Sequence, residues 1–208
     1  MPAADLLFLG PLMLLAAVSD DHLRTPGTGI RDRLKAATAP AHHALDERLG
    51  RLDLTTTAHY RRFLQASAAA LLPLEQMLDD AGVADIIGDW SSRRRTDAVR
   101  ADLAALDGTI APLDLAAQTF DRPFALGTLY VLEGSRLGAA YLLRVVSAAA
   151  DPRVRRATRY LRHGAGQGLW SSFLSQLARE PLTPEDEGRV IAGAHAAFAM
   201  FALAMAAA

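Results

Sequence analysis

The sequence predicts an all-α protein built as a single domain of roughly six to eight helices. Alanine, leucine and arginine dominate the composition and only 6% of the residues are aromatic, which is typical of helices rather than sheets. Apolar residues recur at spacings of three and four along most of the chain, and no useful length shows strand alternation. With 208 residues, 51% of them hydrophobic, the chain can bury a core.

The charge and the cysteine content narrow the classes of function. The formal net charge of −1 argues against a general nucleic-acid-binding protein. The absence of cysteine excludes disulfides, zinc–thiolate sites, cysteine-ligated iron–sulfur clusters and cysteine nucleophiles. A metal would therefore be held mainly by the six histidines and the carboxylates.

Residues 1–28 are predicted to form an N-terminal extension and linker before a helical domain over residues 29–208. Residues 6–18 are mostly apolar but are interrupted by Gly10 and Pro11, and they are fewer than the roughly 20 residues that span a bilayer. No basic segment of the kind found in signal peptides precedes them. These features favour a loosely attached extension, or an upstream start codon chosen in error, over the alternative of a cleaved signal peptide or membrane anchor. We therefore expect a cytoplasmic protein without stable membrane association.

The first half of the chain predicts three helices. The apolar spacing predicts one from residue 30 that stops at Gly50. Thr57 is a suitable N-cap for a second, which runs to about Asp80. A polar segment then leads to a short helix over residues 97–106, and the arginine run 93–95 in that segment is predicted to lie at the surface.

The second half predicts one long apolar helix followed by shorter ones. Pro123 suits the first turn of a helix through FALGTLYVLEGSRLGAAYLLRVVSAAA. An arginine-rich helix opens at Asp151, and the glycine-rich break HGAGQG separates it from LWSSFLSQL. Thr183 and Pro184 form an N-cap and N1 pair for a last helix that ends near Ala204.

Three glycines share one face of the long apolar helix. Gly127, Gly134 and Gly138 lie within about 40° of one another on a helical wheel. Each costs about 1 kcal/mol relative to alanine, so the bare face needs a reason. Either another helix packs closely against it, or a flat ligand lies on the backbone where the helix bends.

Two adjacent histidines stand in TAPAHHALDERL, residues 38–49. Neighbouring residues on a helix point about 100° apart, so both cannot face one small-molecule site. His42 lies two turns, about 10 Å, after Lys35 on the same face, which would suit a heme whose iron binds the histidine and whose propionate reaches the lysine. His43 precedes Glu47 by one turn, which predicts a pair at the surface.

KAATAPAHHALDERL, followed roughly 90 residues later by LYVLEGSRLGAAYLL, resembles the heme oxygenase family. The similarity is greatest to the short bacterial members, including those associated with bacteriophytochromes. In that family a threonine precedes the iron-binding histidine by four residues, as Thr38 precedes His42. The family's distal helix carries two glycines four apart that bend across the other heme face, and Gly134 and Gly138 match them.

The resemblance implies a heme-oxygenase-like fold and an enzyme that uses oxygen to degrade heme, which is both substrate and cofactor, to biliverdin, carbon monoxide and iron. His42 would bind the iron, with Glu47 as a candidate partner for its second ring nitrogen. Catalytic roles on the distal side would belong to Gly134, Ser135 and Gly138. The remaining candidates for heme binding are Arg31, Lys35, Thr38, Tyr130 and Arg159.

The resemblance also implies partners. The chain has no flavin motif and no cysteine, so electrons would come from a ferredoxin or a flavoprotein reductase. A bacteriophytochrome is a candidate acceptor of the biliverdin. Two positions depart from the family: Ala139 stands where a glycine often follows the pair, and Ser135 stands where the animal enzymes have an aspartate that organises distal water. Which group orders that water here is left open.

Several features keep alternatives open. Arg155, Arg159 and Arg162 can share one face of a helix that binds propionates or an acidic electron donor, or that is simply solvated. His163 is predicted to be a cation at that helix's C-terminus, and His195 to lie in the core. The rival functions are a heme carrier or sensor without turnover, and a helical scaffold without heme.

Overall fold

A computed structural model describes residues 29–114 and 120–208. These residues form helices and no strand, which confirms the predicted all-α class. The predicted extension at residues 1–28, including His22, lies outside the described residues.

The helices are numbered here in chain order. The first five elements are α1 (Ile30–Leu49), α2 (Thr57–Asp80), a 3-10 turn (Val83–Asp85), α3 (Trp90–Arg93) and α4 (Thr96–Ala105). The next five are α5 (Arg122–Ser147), α6 (Pro152–Arg156), α7 (Arg159–Arg162), α8 (Leu169–Leu177) and α9 (Pro184–Ala207).

Local side chains set the starts of α5 and α9, and the predicted places of Pro123 and Thr183 are confirmed. Asp121 caps α5 by accepting a hydrogen bond from the Phe124 amide at 2.9 Å, and Pro123 lies in the first turn. Thr183 and Asp186 form a reciprocal capping box at the start of α9.

The arginine-rich segment is not one helix, so the predicted shared face of Arg155 and Arg159 is wrong. The chain leaves helical geometry at Ala157, where φ is −80° and ψ is 63°. The buried carboxylate of Asp102 on α4 then accepts hydrogen bonds from the amides of Arg159 at 3.0 Å and Tyr160 at 2.8 Å. This cap from a distant residue satisfies the first amides of α7, which therefore begins as a helix separate from α6.

Helix α5 runs through the centre of the described bundle. Every residue from 124 to 134 is buried, because neighbouring helices surround this half of α5 on all sides. Helix α9 packs along α5 and also against α1 and α2. The last helix is the one described helix that is long and apolar enough, by length and composition alone, to cross a membrane, with a mean hydropathy of 1.9.

Glycine allows α5 and α9 to cross with their backbones in contact. A Cβ built on Gly127 would overlap the Val190 carbonyl oxygen and lie 2.7 Å from the Ala194 amide nitrogen. A Cβ on Gly193 would lie 2.9 Å from the Phe124 carbonyl carbon. The close-packing interpretation of the glycine face therefore holds at Gly127.

Substituting Gly127→Ala should destabilise the protein by at least about 2 kcal/mol, because the new methyl group meets backbone that cannot rotate away. The control is Gly188→Ala, on the partner helix α9, where a Cβ meets nothing within 4 Å. The control should raise the free energy of unfolding by up to about 1 kcal/mol. Urea unfolding of both variants measures the difference; equal stabilities would contradict the close crossing.

Candidate functional site

A cavity lies between α1 on one side and α5 on the other. It has a volume of about 890 Å³ when counted to its open mouth, within the range of sites for large organic ligands. Four of its wall residues are His42, Ser67, Arg95 and Ser135. The other walls are apolar or aromatic: Leu45, Leu49, Phe63, Tyr130, Val131, Gly134, Ala139, Leu142, Tyr160, Leu161, Phe198, Phe201 and Met205.

His42 on α1 presents one free ring nitrogen in the wall of this cavity. Its Nδ1 lies 3.1 Å from Oδ2 of Asp46, one helical turn later, and Asp46 is itself buried. Its Nε2 is buried and has no hydrogen-bond partner. An imidazole held in this way keeps Nε2 as a lone-pair donor, as a metal ligand requires.

The two neighbouring histidines separate as the sequence predicted. The side chain of His43 is 67% exposed, and its Nε2 lies 3.3 Å from Glu47, which confirms the surface pair. Glu47 is therefore not the partner of His42; Asp46 is, because a spacing of four places two side chains on one face and a spacing of five does not.

Thr38 lies one turn before His42 and is buried. Its hydroxyl donates a hydrogen bond to the Leu34 carbonyl oxygen at 2.7 Å, within the same helix. This bond turns the hydroxyl toward the backbone of the preceding turn.

The opposite wall comes from the second half of α5. Gly134, Ser135 and Ala139 line the cavity, and Gly138 is buried one turn after Gly134 without forming part of the wall. The two interpretations of the glycine face thus apply at different ends of the helix: Gly127 contacts α9, and Gly134 borders the cavity.

The prediction that the arginine run 93–95 lies at the surface is correct for Arg94 and wrong for Arg93 and Arg95. Arg93 and Arg95 are 2% and 3% exposed, whereas the Arg94 side chain is 40% exposed and pairs with Asp79 at 3.1 Å. Arg95 lines the cavity, and its guanidinium carbon lies 5.3 Å from the centre of the Tyr160 ring. Sequence reasoning missed this wall residue.

A buried ion-pair network fixes α5 next to the cavity. The fully buried carboxylate of Glu133 accepts hydrogen bonds from Arg93 Nη1 at 2.7 Å and Arg136 Nη2 at 2.8 Å. Arg93 also donates to Asp89 and to Ser172 on α8. A carboxylate buried in an apolar helix requires cationic partners. Glu133, within an otherwise apolar stretch of the sequence, could therefore have predicted that nearby arginines are buried.

His163 ends α7 and contacts the same network. Its Nδ1 lies 3.2 Å from Arg136 Nη1. Burial, then the charges of Arg136 and Arg95, lowers the pKa of His163, whereas Glu133 raises it by less. Burial and these neighbouring cations therefore disfavour the predicted cation at His163. His195 is exposed on α9, so its predicted place in the core is wrong.

The predicted heme-binding residues lie in two places. Tyr130 is in the cavity wall, where burial raises the pKa of its phenol to about 12 and the nearby charge of Arg31 opposes that shift. Arg31 and Lys35 are exposed on α1, outside the wall. Arg159 is exposed on α7, directly before the wall residue Tyr160.

Comparison with known proteins gives consistent matches. The family model for heme oxygenases matches residues 28–207. The chain is 32% identical to the heme oxygenase PigA of Pseudomonas aeruginosa over 175 residues, which is 81% of this chain and 87% of the relative. It is 30% identical to a heme oxygenase of Xanthomonas campestris, over 76% of this chain and 93% of the relative.

A solved structure agrees with these matches. The NO- and CO-bound heme oxygenase of Neisseria meningitidis superposes with a TM-score of 0.71 at 26% identity. The alignment covers 86% of this chain and 91% of that one.

The environment of His163 predicts a pH dependence of stability. Its pKa in the folded protein lies below 6.5, the value for the unfolded chain, so the unfolded state takes up the proton first as the pH falls. The wild type should therefore lose stability below about pH 6.5, and His163→Gln should lose less. Urea unfolding between about pH 7.5 and 5.5 measures both slopes.

The exposed imidazole of His195 provides the matched control, and His195→Gln should keep the wild-type slope. A slope in His163→Gln equal to that of the wild type would contradict the assignment of His163.

Proposed function

The chain belongs to the heme oxygenase family, and we propose that the cavity between α1 and α5 is where it holds heme for degradation. Members of this family are oxidoreductases that degrade heme, so heme is the substrate of this enzyme. The observation that carries the placement is the buried Nε2 of His42, which lacks a hydrogen-bond partner in an otherwise largely apolar wall.

His42 is the proposed ligand of the heme iron. Asp46 accepts the hydrogen bond from Nδ1, which fixes the tautomer, the ring orientation and the basicity of Nε2. Thr38, through its bond to the Leu34 carbonyl, stabilises the helical turn that precedes His42. The Phe198 ring contacts His42 edge-on at 6.0 Å between centroids and limits rotation of the imidazole.

The second half of α5 is the proposed distal wall. Gly134 has no side chain, so a flat ring can approach the backbone there. Ser135 lies in the same wall, and Gly138 continues the bare face for one more turn. When bound, heme supplies the oxidative chemistry on its own ring, giving biliverdin, carbon monoxide and iron. The protein orients the ring and excludes bulk water through the apolar walls.

The propionates are proposed to reach the cations beside the mouth. Arg31 and Lys35 lie on the exposed start of α1, and Arg31 is close enough to influence the phenol of Tyr130 in the wall. Arg159 lies beside the wall residue Tyr160 and offers a further cation. Exposed cations suit carboxylates that remain partly solvated.

Electrons are proposed to come from an acidic ferredoxin or flavoprotein reductase. Helix α7 also carries Tyr160 and Leu161 of the cavity wall. The exposed arginines of α6 and α7 supply a cationic docking surface, which consists of Arg153, Arg155, Arg156, Arg159 and Arg162. We further propose a cytoplasmic enzyme in which residues 1–28 are an extension to the heme-binding domain, with a bacteriophytochrome as a candidate biliverdin acceptor.

The proposed ligand is tested by adding one equivalent of hemin to wild type, His42→Ala and His43→Ala. Wild type and His43→Ala should give a protein-bound Soret band, and His42→Ala should lose the axial ligand. Under ascorbate and air with catalase present, the first two should lose the Soret band as a broad red biliverdin absorption grows. Catalase removes free peroxide, which bleaches heme without an active site.

The rival functions give other outcomes. A Soret band that persists under reductant and oxygen would indicate a carrier or sensor, and no bound heme would indicate a scaffold. Loss of ligation in His43→Ala instead of His42→Ala would overturn the assignment of the ligand.

Asp46→Asn should weaken hemin binding by about tenfold, because the neutral amide supports a less basic imidazole than the carboxylate does. The iron–histidine stretching frequency of the reduced complex should fall as well. The matched control is Glu47→Gln, which removes the next carboxylate along the chain, the one that pairs with His43 at the surface. It should change neither the hemin affinity nor the stretching frequency. Equal effects of the two substitutions would contradict a specific role for Asp46.

A further inference from the structure

The last three turns of α9 have an outer face that is exposed and entirely apolar. Residues 196–208 contain no polar side chain. Ala199, Leu203 and Ala206 follow one another at spacings of four and three, which places them on one face of the helix, and all three are exposed. Leu203 is 60% exposed, and Tyr141 is the other large hydrophobic residue that the described chain leaves exposed. A continuous apolar surface of this kind is typical of a contact site.

Helices α1 and α9 run side by side in the same direction. Arg33 pairs with Glu187 near the starts of the two helices, and Arg48 Nη1 donates a hydrogen bond to the Ala202 carbonyl oxygen at 2.8 Å near their ends. The two partners in each pair lie 154 residues apart, so the register is the same at both ends. The chain that enters α1 at Gly29 therefore arrives beside the first turn of α9.

The part of the sequence that precedes α1 contains an apolar segment long enough to cover this face. Residues 6–18 include six leucines and no charged side chain. The eleven residue steps from Val18 to Gly29 span up to about 36 Å. Along α9, the distance from its first turn to Leu203 is only about 25 Å. Residues 6–18 can therefore reach the whole outer face from the point where the chain enters α1.

The length of the connection favours contact within one chain over contact between two copies. A connection of about ten residues holds its ends at an effective concentration in the millimolar range. A second copy of the chain at micromolar concentration competes poorly with a segment attached in this way. A bilayer is a poorer match, because residues 6–18 are fewer than the roughly 20 residues that span one and are interrupted by Gly10 and Pro11.

We propose that residues 6–18 dock on the outer face of α9 in the same chain, with Leu203 as the central contact. Docking buries the leucines of the segment and the exposed apolar side chains of α9 together. The other side of α9 supplies Phe198, Phe201 and Met205 to the cavity wall, so the segment supports that wall from behind. The extension is thereby tied to the helical domain more closely than its sequence alone suggests.

The test uses the absence of cysteine from the full chain. Ala199→Cys places one thiol on the outer face of α9, and Ala104→Cys, the matched control, places one at an exposed position on α4. Each variant is labelled with fluorescein maleimide, and its rate is divided by the rate of the same variant unfolded in urea, which removes differences in intrinsic reactivity. The normalised rate of Ala199→Cys should be about tenfold or more below that of Ala104→Cys.

Two further substitutions identify the segment that covers the thiol. Adding Leu12→Asp and Leu14→Asp to Ala199→Cys should restore the rate of the exposed control, because carboxylates are unfavourable against an apolar face. Adding Thr25→Asp and Thr28→Asp instead places the same two charges later in the extension, outside the apolar segment. This second pair should leave the protection of Ala199→Cys unchanged.

Protection that is independent of protein concentration and is lost with the two leucines would support the docking within one chain. Equal rates for Ala199→Cys and Ala104→Cys would overturn it, and slowing of Ala199→Cys only after phosphatidylcholine vesicles are added would assign the face to a lipid surface instead. Protection that increases with protein concentration would overturn it in favour of a second copy. Protection that persists in Leu12→Asp/Leu14→Asp would overturn it as well. None of these measurements requires heme, so their result is separate from that of the proposed function.

Discussion

The ion pairs of Glu133 with Arg93 and Arg136 are the constraint on which the distal side of the cavity depends. Glu133 precedes Gly134 on α5, so a carboxylate held by two guanidinium groups fixes the register of the bare face. Arg93 reaches from α3 to α5 and α8, and this brings the next buried arginine, Arg95, to the cavity wall. Because breaking a buried pair leaves an uncompensated charge, the network resists displacement of α5 far more than a surface pair would.

What could be predicted from the sequence depended on how far apart the interacting residues lie. Thr183 caps the helix that it begins, and His43 pairs with Glu47 one turn later, so local spacing was enough to predict both. The burial of Arg95 could not be found in that way, since its backbone is held by Glu75, 20 residues earlier, and its side chain by α5, about 40 residues later. Long-range partners decide burial, and no local pattern contains them.

The glycines of α5 also show that a local sequence pattern does not reveal the long-range partners of a helix face. Gly127 and Gly134 lie on one face of the helix, but two turns, about 10 Å, separate them along the axis. Opposite Gly127 lies the backbone of α9, and opposite Gly134 lies the cavity. The angle on a helical wheel shows that a face is bare, whereas its function depends on what the tertiary structure places there. A single glycine face therefore supports helix packing and ligand approach together.

The two walls of the proposed site carry charges of opposite sign. On one side the carboxylate of Asp46 lies behind His42, and on the other the guanidinium of Arg95 has no carboxylate partner in the described chain. The walls between them are largely apolar, so water screens neither charge well. If His42 binds iron as proposed, the carboxylate behind it would favour donation of electron density toward the metal, and the cation in the opposite wall would favour negative charge on that side of the cavity. The two effects reinforce each other, so the electric polarity of the cavity depends on Asp46 and Arg95 together.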